Sequence, residues 1–351
     1  MNKSDNAQTV LVTGSNGYVA SWIVKYLLEG GFKVNATVRD KSNQDKVGHL
    51  ANLGKLHPGK LELFNADLLN DGDFDAPMKG CDIVFHTASP FIVRGLKDPQ
   101  KELIEPALKG TRNVLEAVNR TESVKRVVLT SSVAAIFSDN EEVLSQPNGI
   151  FTEAVWNTGS SIDRQPYNYS KTLAEKEAWK IVEAQDRWNL VVMNPGLVLG
   201  PSLAQASAST SLSTMLEIMD GTLRTGAPDL AFPAIDVRDV ATAHIRGAVN
   251  EAANGRHILV AEPITVMQIA KAIHEAFPGK CKLPLWQVPK FIVWLIAPLS
   301  GLTRDFVKRN VGYSIKFDNQ RATKELNMNF MPIDVSVASH AKQILDDGLL
   351  K

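Results

Sequence analysis

The chain has 351 residues but only two cysteines, Cys81 and Cys281, and they stand in no CxxC spacing. Two cysteines cannot build a disulfide framework, and the absence of that spacing fits a reducing compartment. None of the seven histidines stands in an HExxH or similar ligand pair, which argues against a metal site. These absences predict a cytoplasmic protein without a metal.

Net charge is also lacking, because 38 Lys and Arg balance 38 Asp and Glu. Nucleic-acid binders usually need a positive surplus, so nucleic acid is not an expected partner. The polar residues 1–8 contain no apolar signal core. The longest apolar run, residues 291–299, is about half of a membrane span and contains Pro298. It therefore predicts a buried helix or a pocket wall, and no membrane partner is expected.

What is present is an alternation of short apolar, β-branched runs with amphipathic, helix-like stretches. Such alternation predicts an α/β fold, a Rossmann-type doubly wound parallel sheet with helices on both faces. The predicted strands are residues 9–13, 33–38, 61–64, 83–85, 127–130 and 191–194, and the clearest helices are 18–29, 100–119 and 166–188.

The alternation fades after Pro195. Residues 200–232 are rich in Ser, Ala, Thr and Gly, and residues 262–351 have helical patches broken by prolines. We therefore predict a dinucleotide-binding domain of residues 1–199 and 233–261. A smaller substrate-binding lobe of residues 200–232 and 262–351 would cover the carboxyl ends of the strands, where ligands of open α/β sheets bind.

A GxxGxxA motif follows the first predicted strand and opens the first helix. Gly14 permits the tight turn, Gly17 lets the backbone approach a pyrophosphate, and Ala20 keeps the helix close to the sheet. The helix N-terminus offers free N–H groups and a partial positive charge to phosphates. The cofactor-binding residues predicted in this loop are Gly14, Ser15, Asn16, Gly17, Tyr18 and Val19.

The end of the second strand discriminates between the two nicotinamide cofactors. An acidic residue there usually holds the 2′-hydroxyl of NAD, whereas an Arg suits the 2′-phosphate of NADP. Arg39 is followed by Asp40, so both readings are open, with Lys46 one short loop further on. We favour NADP(H), because a guanidinium matches phosphate geometry in a bidentate manner.

Two further patterns carry chemistry. Tyr167 and Lys171 are spaced i, i+4 and share a helix face, whereas Tyr169 and Lys171 point apart. A nearby cation lowers the pKa of a phenol towards neutrality, which suits proton transfer. Ser131 and Ser132 end a buried-strand pattern, where a hydroxyl could hydrogen-bond a substrate carbonyl oxygen.

Phosphate loop, serine pair and YxxxK together resemble the extended short-chain dehydrogenases/reductases. The motifs at residues 86–91, 167–175, 194–196 and 236–241 are similar to those of the dihydroflavonol reductase-like group. That group includes cinnamoyl-CoA reductases and microbial NADPH-dependent aldehyde and ketone reductases. The resemblance covers nearly the whole chain, from residue 10 to about residue 349.

The resemblance implies a role for each matching residue. Ser132 would polarise the carbonyl, Tyr167 would donate the proton, and Lys171 would bind the nicotinamide ribose and lower the tyrosine pKa. Arg39 and Lys46 would hold the 2′-phosphate, and Phe91 would line the substrate pocket. The other implied cofactor contacts are Asp67 and Leu68 at the adenine, Thr87, Ala88, Ser89 and Ser131 at the strand ends, and Pro195, Gly196 and Val198 beside the nicotinamide.

One departure concerns the substrate. Plant flavonoid reductases carry a polar residue, often Asn, about five positions after the catalytic serine, and Phe137 stands there in this chain. Phe137 cannot replace the hydrogen bonds to a hydroxylated ring, so we expect apolar aldehydes and ketones to be reduced to alcohols.

Other readings are a hydroxysteroid dehydrogenase, a nucleotide-sugar epimerase or dehydratase, and an NADP-sensing regulator without catalysis. Intact catalytic residues argue against the regulator. The expected partner is a small carbonyl substrate, and the protein is expected to be a monomer or a homodimer.

Overall fold

The computed structural model describes residues 8–89, 96–204 and 210–350. The strands are β1 (Thr9–Thr13), β2 (Lys33–Val38), β3 (Leu61–Asn65), β4 (Ile83–His86), β5 (Arg126–Thr130), β6 (Asn189–Pro195), β7 (Leu197–Leu199), β8 (Ala227–Pro228), β9 (Ala231–Asp236), β10 (Gly255–Leu259), β11 (Glu262–Thr265) and β12 (Gln287–Val288). The α-helices are α1 (Tyr18–Glu29), α2 (Gln44–Leu56), α3 (Asp75–Met78), α4 (Glu105–Arg120), α5 (Pro166–Glu183), α6 (Thr210–Met219), α7 (Val237–Val249), α8 (Val266–Ala276), α9 (Lys290–Ile296), α10 (Arg304–Asn310), α11 (Gln320–Glu325) and α12 (Ile333–Asp346). Short 3₁₀ helices occupy Val133–Ala135, Asn140–Ser145, Pro147–Gly149 and Ala297–Ser300, and a π-helical turn occupies Gln100–Ile104.

The main sheet has seven parallel strands in the order β10-β6-β5-β4-β1-β2-β3. Its central strands are buried on both faces, which explains their continuous apolar runs. Helices α1 and α7 pack on one face, and α4 and α5 on the other. The predicted Rossmann-type fold is confirmed, and the strand order reverses between β1 and β4, where such sheets bind their ligands.

The predicted strands are all present, but two helices differ from the sequence reading. Helix α5 ends at Glu183 rather than at Trp188, because the Gln185 side chain accepts hydrogen bonds from the backbone of Arg187 and Trp188 and turns the chain. The segment read as one helix over residues 100–119 begins with a π-helical turn. Pro106, in the first turn of α4, lacks the N–H that a continuous α-helix would need there.

A second, three-stranded sheet has the order β11-β9-β7. It packs with α6, α8 and α12 around a separate apolar core. This sheet joins strands from both of the predicted parts of the chain. The division into residues 1–199 with 233–261 and residues 200–232 with 262–351 stays a prediction.

The apolar run at residues 291–299 corrects one of the two sequence-based predictions, because it is not a buried helix, whereas a role as the wall of a pocket stays a prediction. Phe291 is 66% exposed, Leu295 57% and Leu299 91%. Only Val293 and Ala297, one turn apart, are buried against α10 and its neighbours. Among the described residues, no helix is long and apolar enough to cross a membrane.

Candidate active site at the ends of four parallel strands

The GxxGxxA loop joins β1 to α1 with the backbone that a phosphate site requires. Gly14 has φ +63°, and a Cβ there would lie 3.0 Å from the Cα of Ala88. Gly17 caps α1 without any side-chain hydrogen bond to the first turn. The N–H groups of that turn therefore remain for an anionic ligand, aided by the helix dipole.

Two of the predicted loop residues have side chains that serve the protein itself. Ser15 is fully buried, its Oγ donates to the Val12 carbonyl at 2.7 Å, and its N–H donates to Thr37. The Tyr18 hydroxyl donates to the Gly200 carbonyl at 2.5 Å, which ties α1 to the start of the lobe. The hydroxyl proton of Tyr18 is thus used within the protein, and its backbone N–H belongs to the first turn of α1, where the phosphate contact is predicted. Asn16 and Val19 are half-buried beside it.

The structure separates the neighbouring charges at the end of β2. Asp40 Oδ1 accepts hydrogen bonds from the backbone N–H and the hydroxyl of Ser42, which lower the pKa of Asp40. This carboxylate is engaged in its own turn. Arg39 and Lys46 are exposed on either side of the turn and form no ion pair with another described residue. The arrangement favours a phosphate over a ribose hydroxyl.

The β3–α3 connection contains Asp67 and Leu68, which are half-buried. Asp67 Oδ1 accepts from the N–H of Leu69 at 2.9 Å, and the Leu68 carbonyl accepts from Asn113 on α4 at 2.7 Å. Leu68 also packs closely on Gly110 of α4. These contacts fix a shelf near the ends of β2 and β3, where the adenine contact is predicted.

The ends of β1 and β4 are tied together by buried hydroxyl and imidazole groups. Thr13 Oγ1 lies 3.0 Å from Nδ1 of His86 and accepts from the N–H groups of Thr87 and Ala88, each at 3.1 Å. The Thr87 hydroxyl donates to the Thr13 carbonyl. Burial lowers the pKa of His86 to about 3, which makes the ring neutral. Because Thr13 Oγ1 already accepts from two N–H groups, its own hydroxyl proton is directed at Nδ1 of His86. The turn at residues 87–89 is thereby held beside Gly14.

Ser132, Tyr167 and Lys171 meet at this edge of the sheet. Ser132 follows β5, its Oγ accepts from Ala134 N–H at 3.1 Å, and its side chain is hydrogen-bonded to that of Tyr167. Lys171 is 8% exposed, and its ammonium donates to Ser89 Oγ at 3.1 Å. The structure thus brings the three predicted catalytic residues together with the turn after β4.

The pKa of Tyr167 is raised to about 12, mainly by burial, and the hydrogen bond with Ser132 acts against this rise. Burial also lowers the pKa of Lys171 to about 8, while the Glu175 carboxylate raises it. In the protein without a bound cofactor, it is therefore burial, and not the charge of Lys171, that decides the direction in which the pKa of Tyr167 shifts. The predicted lowering of the Tyr167 pKa by Lys171 stays a prediction.

A buried carboxylate lies directly behind this group, and the sequence reading gave it no role. Glu175 Oε2 accepts from Ser131 Oγ at 2.5 Å and from Asn194 Nδ2 at 2.8 Å, and Oε1 accepts from Arg256 Nε at 2.6 Å. Arg256, on β10, also stacks 4.0 Å over the ring of Trp156. The available sequence signal was Glu175 at i+4 from Lys171, which puts a second charge on the buried face of α5.

The Glu175 network fixes the ends of β5 and β6 against α5. Asn194 donates its second hydrogen bond to the Ser132 carbonyl at 3.1 Å. The backbone that carries Ser132 is therefore held by Ser131 on one side and by Asn194 on the other. Ser131, predicted as a cofactor contact, is buried and uses its hydroxyl for this network.

The segment after β6 approaches the same site. The Pro195 carbonyl accepts from Ser132 Oγ at 3.4 Å, and Val198 lies half-buried in β7. A Cβ on Gly196 would lie 2.2 Å from the Pro233 carbonyl oxygen, so only glycine fits against β9. The contact of Pro195, Gly196 and Val198 with the nicotinamide stays a prediction.

Two phenylalanines, Phe137 and Phe91, are predicted to line the substrate pocket. Phe137 is 7% exposed and packs on Phe151 and Phe317, with ring centroids 4.8 and 5.4 Å away. It belongs mainly to an aromatic core, and its contact with substrate stays a prediction. Phe91 lies outside the described residues.

Residues 10–261 match the model of the NAD dependent epimerase/dehydratase family, which is more than two thirds of the chain. The chain belongs to this family. Its relatives within this family include reductases, and the predicted resemblance to the extended short-chain dehydrogenases/reductases and their dihydroflavonol reductase-like group is confirmed.

Three relatives illustrate this place in the family. A cinnamoyl-CoA reductase of Medicago truncatula is 40% identical over 83% of this chain and 90% of its own length. A (2S)-flavan-3-ol-forming anthocyanidin reductase of Vitis vinifera is 37% identical over 77% of this chain and 81% of its own. The crystal structure of yeast methylglyoxal/isovaleraldehyde reductase complexed with NADPH is 28% identical, covers 97% of this chain and 98% of that one, and has a TM-score of 0.78.

Proposed function

We propose that this protein is an NADPH-dependent carbonyl reductase that converts an aldehyde or a ketone to an alcohol. The observation that carries the proposal is the convergence of three groups beside the phosphate loop. These are the hydrogen-bonded pair Ser132 and Tyr167 and the buried Lys171. A carbonyl reduction needs a group that donates a proton, a group that polarises the carbonyl oxygen and a nearby positive charge, and this site contains all three.

NADP(H) is the cofactor of this family member. The yeast relative is a complex with NADPH, and the residues of this chain fit that dinucleotide. The positive φ and close approach of Gly14, together with the uncapped first turn of α1, leave room and donors for a pyrophosphate. Arg39 and Lys46 would hold the 2′-phosphate, because Asp40 is engaged by Ser42.

Each side chain has a distinct task in the proposed reaction. When bound, the cofactor supplies the hydride that reduces the carbonyl carbon. Ser132 and Tyr167 donate hydrogen bonds to the carbonyl oxygen as negative charge grows there, and Tyr167 protonates it. Lys171 holds a positive charge one helical turn from Tyr167 and lowers the pKa of its phenol in the loaded site.

We propose apolar aldehydes and ketones as the substrate class. Phe137, five residues after Ser132, packs with Phe151 and Phe317 in an aromatic cluster. The side chains of this cluster have no hydrogen-bonding group. A substrate that brought polar ring substituents there would lose hydrogen bonds to water without replacing them. A hydroxysteroid dehydrogenase and a nucleotide-sugar epimerase or dehydratase remain the enzyme alternatives, and an NADP-sensing regulator the non-enzymatic one.

The decisive experiment follows the absorbance of NADPH with a panel of carbonyl compounds. We expect oxidation of NADPH with small apolar aldehydes or ketones and little with a dihydroflavonol. Turnover confined to steroids would favour the hydroxysteroid dehydrogenase. Interconversion of nucleotide sugars without net oxidation of NADPH would favour the epimerase. NADPH binding without turnover of any of these compounds would favour the regulator.

Replacing Arg39 by Glu should change the cofactor preference. We expect the KM for NADPH to rise by about 10- to 100-fold, since a hydrogen bond to a charged group contributes about 1.5–3 kcal/mol. The KM for NADH should change much less. Steady-state kinetics with both cofactors check this, with Lys41→Glu in the same loop as the control for charge reversal. Equal changes for NADPH and NADH would remove Arg39 from the 2′-phosphate site.

A further inference from the structure

The C-terminal part of the chain exposes a concentrated set of large apolar side chains. They lie within fifteen consecutive residues, on α9, on the 3₁₀ helix after it and just before β12. Of the twelve large hydrophobic residues that are exposed in the described ranges, seven belong to this set. We call it the apolar surface, and its members are Leu285, Trp286, Phe291, Trp294, Leu295, Ile296 and Leu299.

The packing of α9 does not require these side chains. The helix is anchored by Val293 and Ala297, which are 5% and 0% exposed and pack with Val307 and Val311 of the neighbouring α10 segment. The apolar surface therefore faces outward from an already complete small core. Patches of this kind usually mark a contact with another molecule or with a membrane.

The segment that carries the apolar surface has a strong excess of positive charge, although the net charge of the whole chain is zero. Residues 280–316 contain seven Lys and Arg but only one acidic residue, Asp305, which is paired with Arg309 at 2.9 Å. Glu141, from the 3₁₀ helix beside α10, also pairs with Arg309, at 2.5 Å, and attracts Lys290. Within the described ranges, no ion pair involves Lys280, Lys282, Arg304 or Lys308. A net positive rim of this kind is complementary to an anionic partner.

The positive charge is also in direct contact with the apolar surface. The Arg304 guanidinium lies 4.4 Å from the centroid of the Trp294 ring. Lys290 is the first residue of α9, which carries most of the apolar surface, and its ammonium lies 4.4 Å from the ring of the neighbouring Tyr313 and donates to the Lys308 carbonyl at 2.8 Å. Exposed tryptophans and aliphatic side chains, bordered by long cationic ones, are the composition of interfacial membrane-binding segments.

We propose that the apolar surface docks this protein on the surface of an anionic lipid bilayer. Trp286, Trp294 and the aliphatic side chains would enter the boundary between headgroups and acyl chains. The lysines and Arg304 would meet the anionic headgroups. This peripheral contact differs from the sequence-based expectation of no membrane partner, and it is independent of the proposed reductase activity.

A second copy of the chain fits the same surface poorly. A two-fold interface places the same patch on both partners, so the cationic rim of one copy would face that of the other. The cores of protein interfaces are also depleted in lysine, whereas Lys282 and Lys290 border this one. An anionic bilayer offers an apolar region for the exposed hydrophobic side chains and negative charge for the cationic rim.

Vesicle flotation with the full-length protein tests the proposal. Vesicles of phosphatidylcholine alone are compared with vesicles that also contain phosphatidylserine. We expect the bound fraction to rise by about tenfold or more on the anionic vesicles, because each Lys or Arg near such a surface adds to the attraction. Raising the salt concentration should reverse most of the gain.

Two sets of variants separate the apolar from the electrostatic contribution. The apolar set is Phe291→Ser, Trp294→Ser and Leu295→Ser, and its control combines Leu56→Ser, Leu144→Ser and Val335→Ser, which are also exposed but lie elsewhere. The charge set is Arg304→Gln with Lys308→Gln, and its control is Lys55→Gln with Lys79→Gln. Both test sets should lose most vesicle binding, both controls should keep it, and NADPH oxidation without vesicles should not change.

Three results would overturn the proposal. The first is no binding of the wild-type protein to anionic vesicles, and the second is an equal loss in the test and control variants. The third is a dimer in size-exclusion chromatography that the apolar set converts to a monomer, since the surface would then be an interface between two copies.

Discussion

Replacing Tyr167 by Phe is expected to lower kcat by about 10²- to 10⁴-fold, the usual contribution of a positioned general acid. The phenylalanine keeps the ring but removes the only proton that this position can give to the carbonyl oxygen. It also removes the hydrogen bond with Ser132. The dissociation constant for NADPH, measured by protein fluorescence quenching, should stay near that of the wild-type protein.

Tyr169→Phe is the matched control, because Tyr169 is two residues away on the same helix and points away from Lys171. That variant should keep nearly full turnover. A Tyr167→Phe protein with substantial residual kcat would remove Tyr167 from the role of general acid. It would leave the phosphate loop and the cofactor assignment untouched.

The residues that sequence reasoning could find are those whose chemistry depends on local spacing. Gly14 and Gly17 are fixed by one strand–turn–helix motif, and Tyr167 with Lys171 by one helical turn. The parallel sheet follows from alternating patterns, since each central strand is buried on both faces and must be apolar throughout. Local patterns of this kind survive folding because no distant residue is needed to define them.

The remainder depends on contacts between residues far apart in the chain. Arg256 reaches Glu175 across 81 positions, and no spacing in the sequence indicates this pair. The exposure of Phe291 and Leu299 cannot be predicted from the sequence either, because an apolar run has the same pattern whether its side chains are buried or exposed. Asp40 is disfavoured as a ligand of the cofactor's ribose because of its hydrogen bonds with Ser42, which only the structure shows. Tertiary packing, rather than composition, decides each of these cases.

Replacing Glu175 by Gln should have the second large effect, on both stability and pH dependence. Glu175 and Arg256 are 1% and 6% exposed, so the substitution leaves a buried guanidinium without its counter-charge. Breaking one partner of a buried pair typically costs about 3–5 kcal/mol, which chemical denaturation would measure as a lower free energy of unfolding. Glu177→Gln on the same helix is the control. Its partner Arg112 is 53% exposed, so the loss there should stay within about 1 kcal/mol.

The same substitution should move the alkaline limb of the pH–rate profile. The pKa of Lys171 is about 8, and the Glu175 carboxylate acts to raise it. In the proposed mechanism Lys171 supports Tyr167 only as a cation, which exists below that pKa, so activity should fall as the pH rises through it. Without the Glu175 charge the Lys171 pKa drops further, and the fall in kcat should begin at a lower pH than in the wild-type protein.

A double variant separates the two effects and keeps the prediction testable if the single variant does not fold. Adding Arg256→Gln to Glu175→Gln removes the unpaired buried charge, so much of the lost stability should return. Lys171 still lacks its carboxylate neighbour in the double variant, and the alkaline limb should therefore remain displaced to lower pH. A folded double variant with the wild-type pH profile would show that Glu175 only holds β5, β6 and α5 together. A displaced profile would make it a positioning residue that also sustains the charge of Lys171.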